Sequence, residues 1–472
     1  TIDNLKQTVQ VYDRYSGENS IQWSATSDVA WLSVSPETGD TDINDNDILT
    51  VSIVETELPK AVSNPNGNIT LTATNKDLTP LVIPVSVTFS APYISNVSPY
   101  VRYTGKQSKV ILRGKGFESI SLEDITFGGV PVETGEIISD TEAIVFPPAN
   151  VLEAAGIYPL DILNASELDL SKADLVVVGP TNYSATSIPL PASPRTGKLI
   201  YDAERKAIFY TSSSGIHKIA YSSEEMWNSE SMELEHASGI NLSADGLNLE
   251  VVTATDDNNT LYIIDPDTLI IKNYFNIKSN YLYSNIAPMN NDKTILVNWD
   301  GGIMVYPDMI ESRNVFDWNN TAISANRDTL LLLGSWNKEH VYRYDASDSS
   351  TIEVISGLST RKIAISEHGE RIVVGKNIFD STFSKLGEIS LPNIISGLAV
   401  SPDGSKAYLL SGQDIYTFDI SGNAPPFRQI VSTVTYTDDT SFYSRGIVVS
   451  EDGETLFIYG SSMLYIVPAP KQ

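Results

Sequence analysis

The chain contains no cysteine. Disulfides, thiolate metal centres and cysteine nucleophiles are therefore excluded, and this absence fits a reducing or an oxidising compartment equally well. Histidine is scarce: His217, His236, His340 and His368 are the complete set, and no two stand at metal-ligand spacing. Positive charge is also in deficit. Against 59 acidic residues there are 31 Lys and Arg, a formal net charge of -28. Such a surface repels phosphate backbones and anionic lipid, which argues against nucleic-acid and membrane-surface partners. No apolar run approaches the ~20 residues needed to cross a bilayer as a helix. No Gly-x-Ser-x-Gly elbow or phosphate-cradling glycine loop occurs. The chain begins at Thr1 rather than Met, which leads us to expect a removed upstream segment such as a signal peptide or lipoprotein anchor.

Helical periodicity is nearly absent as well. Short runs rich in Val, Ile, Thr, Tyr and Ser alternate with Gly, Asn, Asp and Pro turns, the pattern of an all-β protein. A single short helix is expected near Asn150–Ala155, after Pro147-Pro148 and before Gly156. With 472 residues and 41% hydrophobic content, the chain is long enough for two to four packed domains.

Three segments are expected. In residues 1–90, alternating strands occur at Thr50–Val54, Ile69–Thr74 and Leu81–Phe89, and Pro84 marks the last as an edge or bent strand. The run Trp31-Leu32-Ser33-Val34-Ser35-Pro36-Glu37-Thr38-Gly39, with Trp23 upstream, resembles the signature of BACON domains, small immunoglobulin-like sandwiches of bacterial surface proteins. That resemblance implies carbohydrate or mucin association, whereas the plainer role for Trp31 is to plug a sandwich core. In residues 91–178, Val97-Ser98-Pro99, Gly105, Val110–Phe117, Ile125–Gly129, Pro147 and Gly156–Leu160 resemble an IPT/TIG domain, a second immunoglobulin-like sandwich used as a spacer or protein-contact module. Residues 179–195 carry four prolines and read as a stiff connector containing one strand, Tyr183–Pro189.

The remainder is repetitive. Ser-x-Asp-Gly occurs as Ser243-Ala244-Asp245-Gly246, Ser401-Pro402-Asp403-Gly404 and Ser450-Glu451-Asp452-Gly453, with degenerate copies at Ser324-Ala325-Asn326 and Ser366-Glu367-His368-Gly369. The spacing of roughly 35–50 residues signals a repeat architecture. Each copy follows a small-residue apolar strand and precedes two further strands, the second often aromatic, as at Val341–Asp345. Anchors near Tyr201, Ser243, Met289, Ser324, Ser366, Ser401 and Ser450 count seven units, hence a seven-bladed β-propeller over residues 179–472. The last unit lacks an outer strand, and Tyr183–Pro189 is expected to supply it and remove the free edge. The repeats resemble YVTN/lactonase-like and WD40-like propellers. The fold class expected is thus all-β: two immunoglobulin-like sandwiches followed by a seven-bladed propeller.

Function is expected on the rim opposite the Ser-x-Asp-Gly turns, where loops enter the first strands and join the second to the third. Those loops hold His236, Tyr283, Trp299, Trp318, Asn319, Trp336, Arg361, Tyr443 and Arg445. Indole planes there can stack on sugar rings or apolar side chains, with Asn and Arg bonding hydroxyls or backbone. The alternative is that Trp299, Trp318 and Trp336 pack between blades. His236, Arg361 and Arg445 also admit a lactonase-like or polysaccharide-acting enzyme site, and a surface scaffold without a small ligand is the third reading. The acidic run Asp40–Asp47 offers oxygen ligands at Asp40, Asp42 and Asn44, as calcium prefers, but lacks an EF-hand's glycine and final glutamate. The preferred expectation is a monomeric, extracytoplasmic bacterial binding or adhesion protein, without cofactor and without catalysis, that meets a glycan or protein at the cell envelope.

Overall fold

In a computed structural model, the chain is described except for residues 1–5, 13–19, 43–45, 55–56, 58–64, 76, 88–91, 164–172, 196–197, 223, 225, 255–258, 278–281, 299–301, 309, 314–317, 335–338, 348, 359–361, 392–394, 412–413, 423–428, 434–445 and 471–472; side chains of 302, 310–313, 318–320, 334, 339 and 429–433 are likewise outside the description. Strands dominate, and the expected helix near residue 150 is a single 3-10 turn, Val151–Glu153.

The chain divides into two compact units. The first comprises residues 1–96, 112–145 and 159–173; the second comprises residues 97–111, 146–158 and 174–472.

In the first unit, the N-terminal sandwich has one sheet ordered Lys6–Val11, Asp47–Ile53, Leu32–Ser35 and another ordered Thr38–Thr41, Ile21–Ser27, Asn66–Ala73, Leu81–Ser86. Period-two alternation puts Trp23, Ala25, Leu49, Val51 and Ile69 on the inner faces. Trp23 and Trp31 are 3% and 4% exposed, so both indoles are core. The Trp23 ring nitrogen donates to Asp47 Oδ2 at 2.8 Å, which satisfies its one polar atom inside the sandwich. Pro84 lies in the strand at the end of its sheet, where a missing N–H is tolerated. Further along the first unit, Ile125–Phe127 pairs with Val130–Pro131 and with the C-terminal part of Gly156–Ile162, as in a second antiparallel sandwich.

The second unit contains seven four-stranded antiparallel sheets in sequence order. Six are continuous: residues 200–233, 237–277, 283–313, 318–358, 363–388 and 397–433, here blades 1 to 6. Blade 7 takes three strands from 446–468 and its outermost from Thr186–Pro189, which pairs antiparallel with Met463–Pro468. First strands of neighbouring blades touch one another, which makes them the innermost strands around the axis. Crowding explains their small residues. A Cβ on Gly239 would stand 3.0 Å from the Asn285 main chain of the next blade. Blades 7 and 1 share one core, with Phe457, Tyr459 and Leu464 packed with Tyr201, Ile208 and Tyr210, so the ring is closed.

Candidate functional site

The Ser-x-Asp-Gly phrase builds a self-contained turn between the first and second strands. In blade 6, Ser401 Oγ donates to Asp403 Oδ1 at 2.6 Å and accepts from the Lys406 amide at 2.8 Å. Asp403 Oδ1 also accepts from the Ser405 amide, and the Gly404 amide donates to the Ser401 carbonyl. Gly404 sits at φ +68°, the left-handed region that glycine enters without penalty. Blades 2 and 7 repeat the circuit at Ser243–Gly246 and Ser450–Gly453. The turns are also stitched to one another around the ring. The amides of Asn290, Asn326 and Glu367 donate to the carbonyls of Arg327, Glu367 and Pro402 in the following blades.

This rim is not a bare structural edge, as the sequence suggested, because residues 97–111 of the same unit are seated on it. Ser98 Oγ donates to the Asn326 carbonyl at 2.6 Å in blade 4. The Tyr100 hydroxyl donates to Asp202 Oδ1 in blade 1 at 3.4 Å, and its ring fills the space beside Gly246 of blade 2, where a Cβ would collide with it. Arg102 and Glu367 of blade 5 form a 2.8 Å ion pair with side chains only 5% and 7% exposed. Lys106 bonds the Asp452 carbonyl and Glu454 of blade 7. Lys109 reaches Glu370 at 3.2 Å. Thr181, just before the closing strand, donates from its amide and hydroxyl to the buried Asp452 carboxylate.

Two glutamates dominate the electrostatics, and both occupy the variable second position of the phrase. Around Glu367, burial acts to raise the pKa, but the Arg102 guanidinium and His368, whose Nε2 stands 2.9 Å away, together hold it below the ordinary carboxylate value. Glu451 has no such partner. Burial first, and then the negative Glu367, push it up to about 8, against a smaller opposing pull from Arg102. It is therefore largely protonated at neutral pH, and its Oε2 is shielded without a hydrogen-bond partner. The other copies place Ala244, Ala325 and Pro402 at this position. The signal was present in the sequence as acidic residues at the one unconstrained position of a structural phrase.

A cleft of about 450 Å³ opens between residues 102–108 and the turns of blades 5 to 7. Arg102, Tyr103, Lys106, Tyr408, Glu451 and Asp452 are among its walls.

The opposite rim is less fully described. His236 is exposed at φ +61°, immediately before the first strand of blade 2. Tyr283 is a correction: its ring is 1% exposed in the core with Leu261, Leu296 and Met304, and its hydroxyl faces Met304 Sδ at 3.7 Å. Placed at the start of an innermost strand, it turns inward between blades and offers nothing to a ligand. Trp318 and Asn319 begin the first strand of blade 4, Trp318 opposite Gly334, but their side chains lie outside the described residues. Trp299, Trp336, Arg361, Tyr443 and Arg445 lie wholly outside them. In the N-terminal sandwich, Asp40 and Asp42 are exposed, Asn44 is outside the description, and no cluster of three metal-ligating side chains occurs among the described residues.

One serine–histidine contact invites a catalytic reading. Ser212 Oγ lies 2.7 Å from His217 Nε2, and His217 Nδ1 lies 2.7 Å from Ser231 Oγ. Burial lowers the His217 pKa, so the ring is neutral. Ser212, however, is fully buried, and the third member is a hydroxyl rather than a carboxylate. The chain of bonds orders the second turn of blade 1 and presents no nucleophile to solvent.

Residues 2–84 match the family described as "Viral BACON domain". The match covers the N-terminal sandwich and its two buried tryptophans. A search of curated proteins finds no match. Solved structures similar to the chain include the crystal structure of the mitotic checkpoint complex (12% identity, 62% of this chain and 95% of that chain, TM-score 0.48). The Myceliophteria thermophila Cps50 (Swd1) β-propeller domain is similar at 11% identity, over 62% of this chain and all of that chain, TM-score 0.44. Kuenenia stuttgartiensis hydrazine synthase is similar at 11% identity, over 62% of this chain and 100% of that chain, TM-score 0.45. A BACON domain joined to a propeller fits a binding or scaffold protein.

Proposed function

We propose that the chain is an extracytoplasmic binding or adhesion protein whose propeller recognises a glycan or a protein partner on the rim away from the Ser-x-Asp-Gly turns. The observation that carries this reading is the seating of residues 97–111 across the turn rim, anchored by the buried Arg102–Glu367 pair. With one mouth of the ring engaged by the chain itself, the other is left for a partner. In sequence, Trp299 and Trp336 fall between the second and third strands of blades 3 and 4, and Trp318 opens the first strand of blade 4; flat apolar indoles suit sugar rings and hot-spot contacts. The BACON domain and the IPT/TIG-like segment act as spacers that present the propeller. The viral description of the matched family extends the setting from a bacterial surface protein to a virus-borne protein that meets such a surface.

A glycan array and a pull-down from envelope extracts, run with the whole chain and with Trp299→Ala and Trp336→Ala, test the proposal. Expected is a bound glycan or protein whose affinity falls about tenfold or more in the variants at unchanged melting temperature. Binding that both variants leave intact would place recognition elsewhere and overturn the reading.

A further inference from the structure

We propose that the central channel of the propeller holds a binding site for a small ligand bearing one carboxylate, received by Lys198 and Thr321. One hydrogen bond gives the site its position: the Lys198 ammonium donates to Thr321 Oγ1. Lys198 stands two residues before the innermost strand of blade 1, Ile200–Asp202, and Thr321 lies in that of blade 4, Trp318–Ile323. In a ring of seven, blades 1 and 4 are not neighbours, so a bond between their inner edges crosses the channel. Both residues are partly exposed although they lie at the middle of the ring, so open space borders them. The turn end of the same channel is spanned by a second such bond, from Arg327 Nη1 in blade 4 to Asn241 Oδ1 in blade 2 at 3.1 Å, and residues 97–111 are seated over it. A ligand therefore reaches Lys198 from the other rim.

The charge and bonding character of this region define the ligand. An ammonium carries three donors, and Thr321 takes one; the Thr321 hydroxyl accepts that bond and keeps its own proton to donate. Enclosed cations are ordinarily matched by an anion, as Asp202 matches Arg205 at 2.9 Å and Glu367 matches Arg102 at 2.8 Å. Lys198 has no such match among the described residues. Burial alone, with no charged neighbour acting on it, lowers its pKa to about 8, so it is still largely protonated at neutral pH. The setting is unusual for a chain of net charge -28. Across the seven innermost strands the single carboxylate is Asp202, already held by Arg205 at the turn end. In sequence, the two positions before each of those strands hold Lys198, Arg361, Lys362 and Arg445 against Glu235 and Asp317, a reversal of the overall charge. One unmatched ammonium beside one hydroxyl balances a single negative charge with two donors, which suits a carboxylate; a phosphate dianion would carry a charge in excess into a weakly polar enclosure.

The test is titration calorimetry on the whole chain, with NMR of the lysine Nζ groups in 15N-lysine-labelled protein, using acetate, L-lactate, D-glucuronate and inorganic phosphate. At least one carboxylate is expected to bind, to move the Lys198 Nζ resonance and to raise the pKa read from it by about one unit or more, since a bound anion favours the ammonium form. Lys198→Met keeps the stem without the charge and should weaken binding about tenfold or more; Thr321→Val should weaken it about three- to tenfold. Lys385→Met, on the exposed outer strand of blade 5, should leave it unchanged. Trp336→Ala should also leave it unchanged, which separates the channel site from the proposed partner face. Carboxylates that leave the Lys198 resonance in place, binding by phosphate alone, or binding that survives Lys198→Met would each overturn the proposal. Binding abolished by Trp336→Ala would overturn it too while supporting the rim reading. The titration of the unaltered protein decides the matter even if Lys198→Met fails to fold.

Discussion

At the residue scale, Arg102 is the side chain on which most depends. It comes from a three-residue strand, Val101–Tyr103, and enters a region where Glu367, Glu451 and Asp202 are all withdrawn from water. Buried ion pairs contribute little net stability when compared with apolar replacements, but removing one partner strands the other. Arg102→Ala is therefore expected to destabilise the second unit by about 3–5 kcal/mol in denaturant titration. The double change Arg102→Met with Glu367→Gln should recover much of that loss. Equal destabilisation by the single and double variants would show that the pair is not coupled. Such a role was hard to see in the sequence, since one arginine among Val, Tyr and Thr resembles any exposed position of a half-buried strand. Gly246 illustrates the same limit. Its positive φ of +70° is written in the Asp-Gly dipeptide, but its contact with the Tyr100 ring is not.

At the element scale, the strand Thr186–Pro189 has the largest consequence for its size. Four residues pair Thr186 with Ile466, Ser187 with Tyr465, Ile188 with Leu464 and Pro189 with Met463. Ile188 packs on the cluster shared by blades 7 and 1. A strand this short could not persist alone, and it holds because an unpaired edge and an apolar seam await it. Ile188→Asp buries a charge in that seam and is expected to cost roughly 2–4 kcal/mol, with hydrogen exchange accelerating first in Met463–Pro468. Exchange that quickens evenly over all blades would argue against a closing role. The Ser-x-Asp-Gly turns were legible because their hydrogen bonds are local, from Ser to Asp and to an amide five residues on. Their use as a platform was not, because the groups that engage them lie more than 200 residues away in sequence.

At the scale of the molecule, the grouping of residues 97–111 with the propeller means that its turn rim is covered by chain from before the connector. A fragment of residues 179–472 should fold, yet it leaves Glu367 without Arg102 and the turn rim bare. It is expected to melt several degrees below a fragment of residues 92–472, since roughly 1 kcal/mol shifts the midpoint of a large domain by about 2–4 °C. Equal melting temperatures would show that the seated segment adds no stability. The strong net negative charge sets a background of repulsion that the seated segment counters locally, bringing Arg102, Lys106 and Lys109 onto Glu367, Glu454 and Glu370.

What the sequence determined by itself was whatever depends on neighbours along the chain. Alternation marked strands, Asp-Gly marked turns, and the recurrence of one phrase, together with the like-spaced anchors at Tyr201 and Met289, counted seven blades, because hairpins are specified by local dihedral preference and period-two patterning. The buried tryptophans of the N-terminal sandwich were legible for the same reason. Only the tertiary structure decided that Tyr283 is core and that two glutamates at the variable position of the phrase converge on Arg102. Those facts arise where distant segments meet, and an individual side chain carries no record of which partner will reach it.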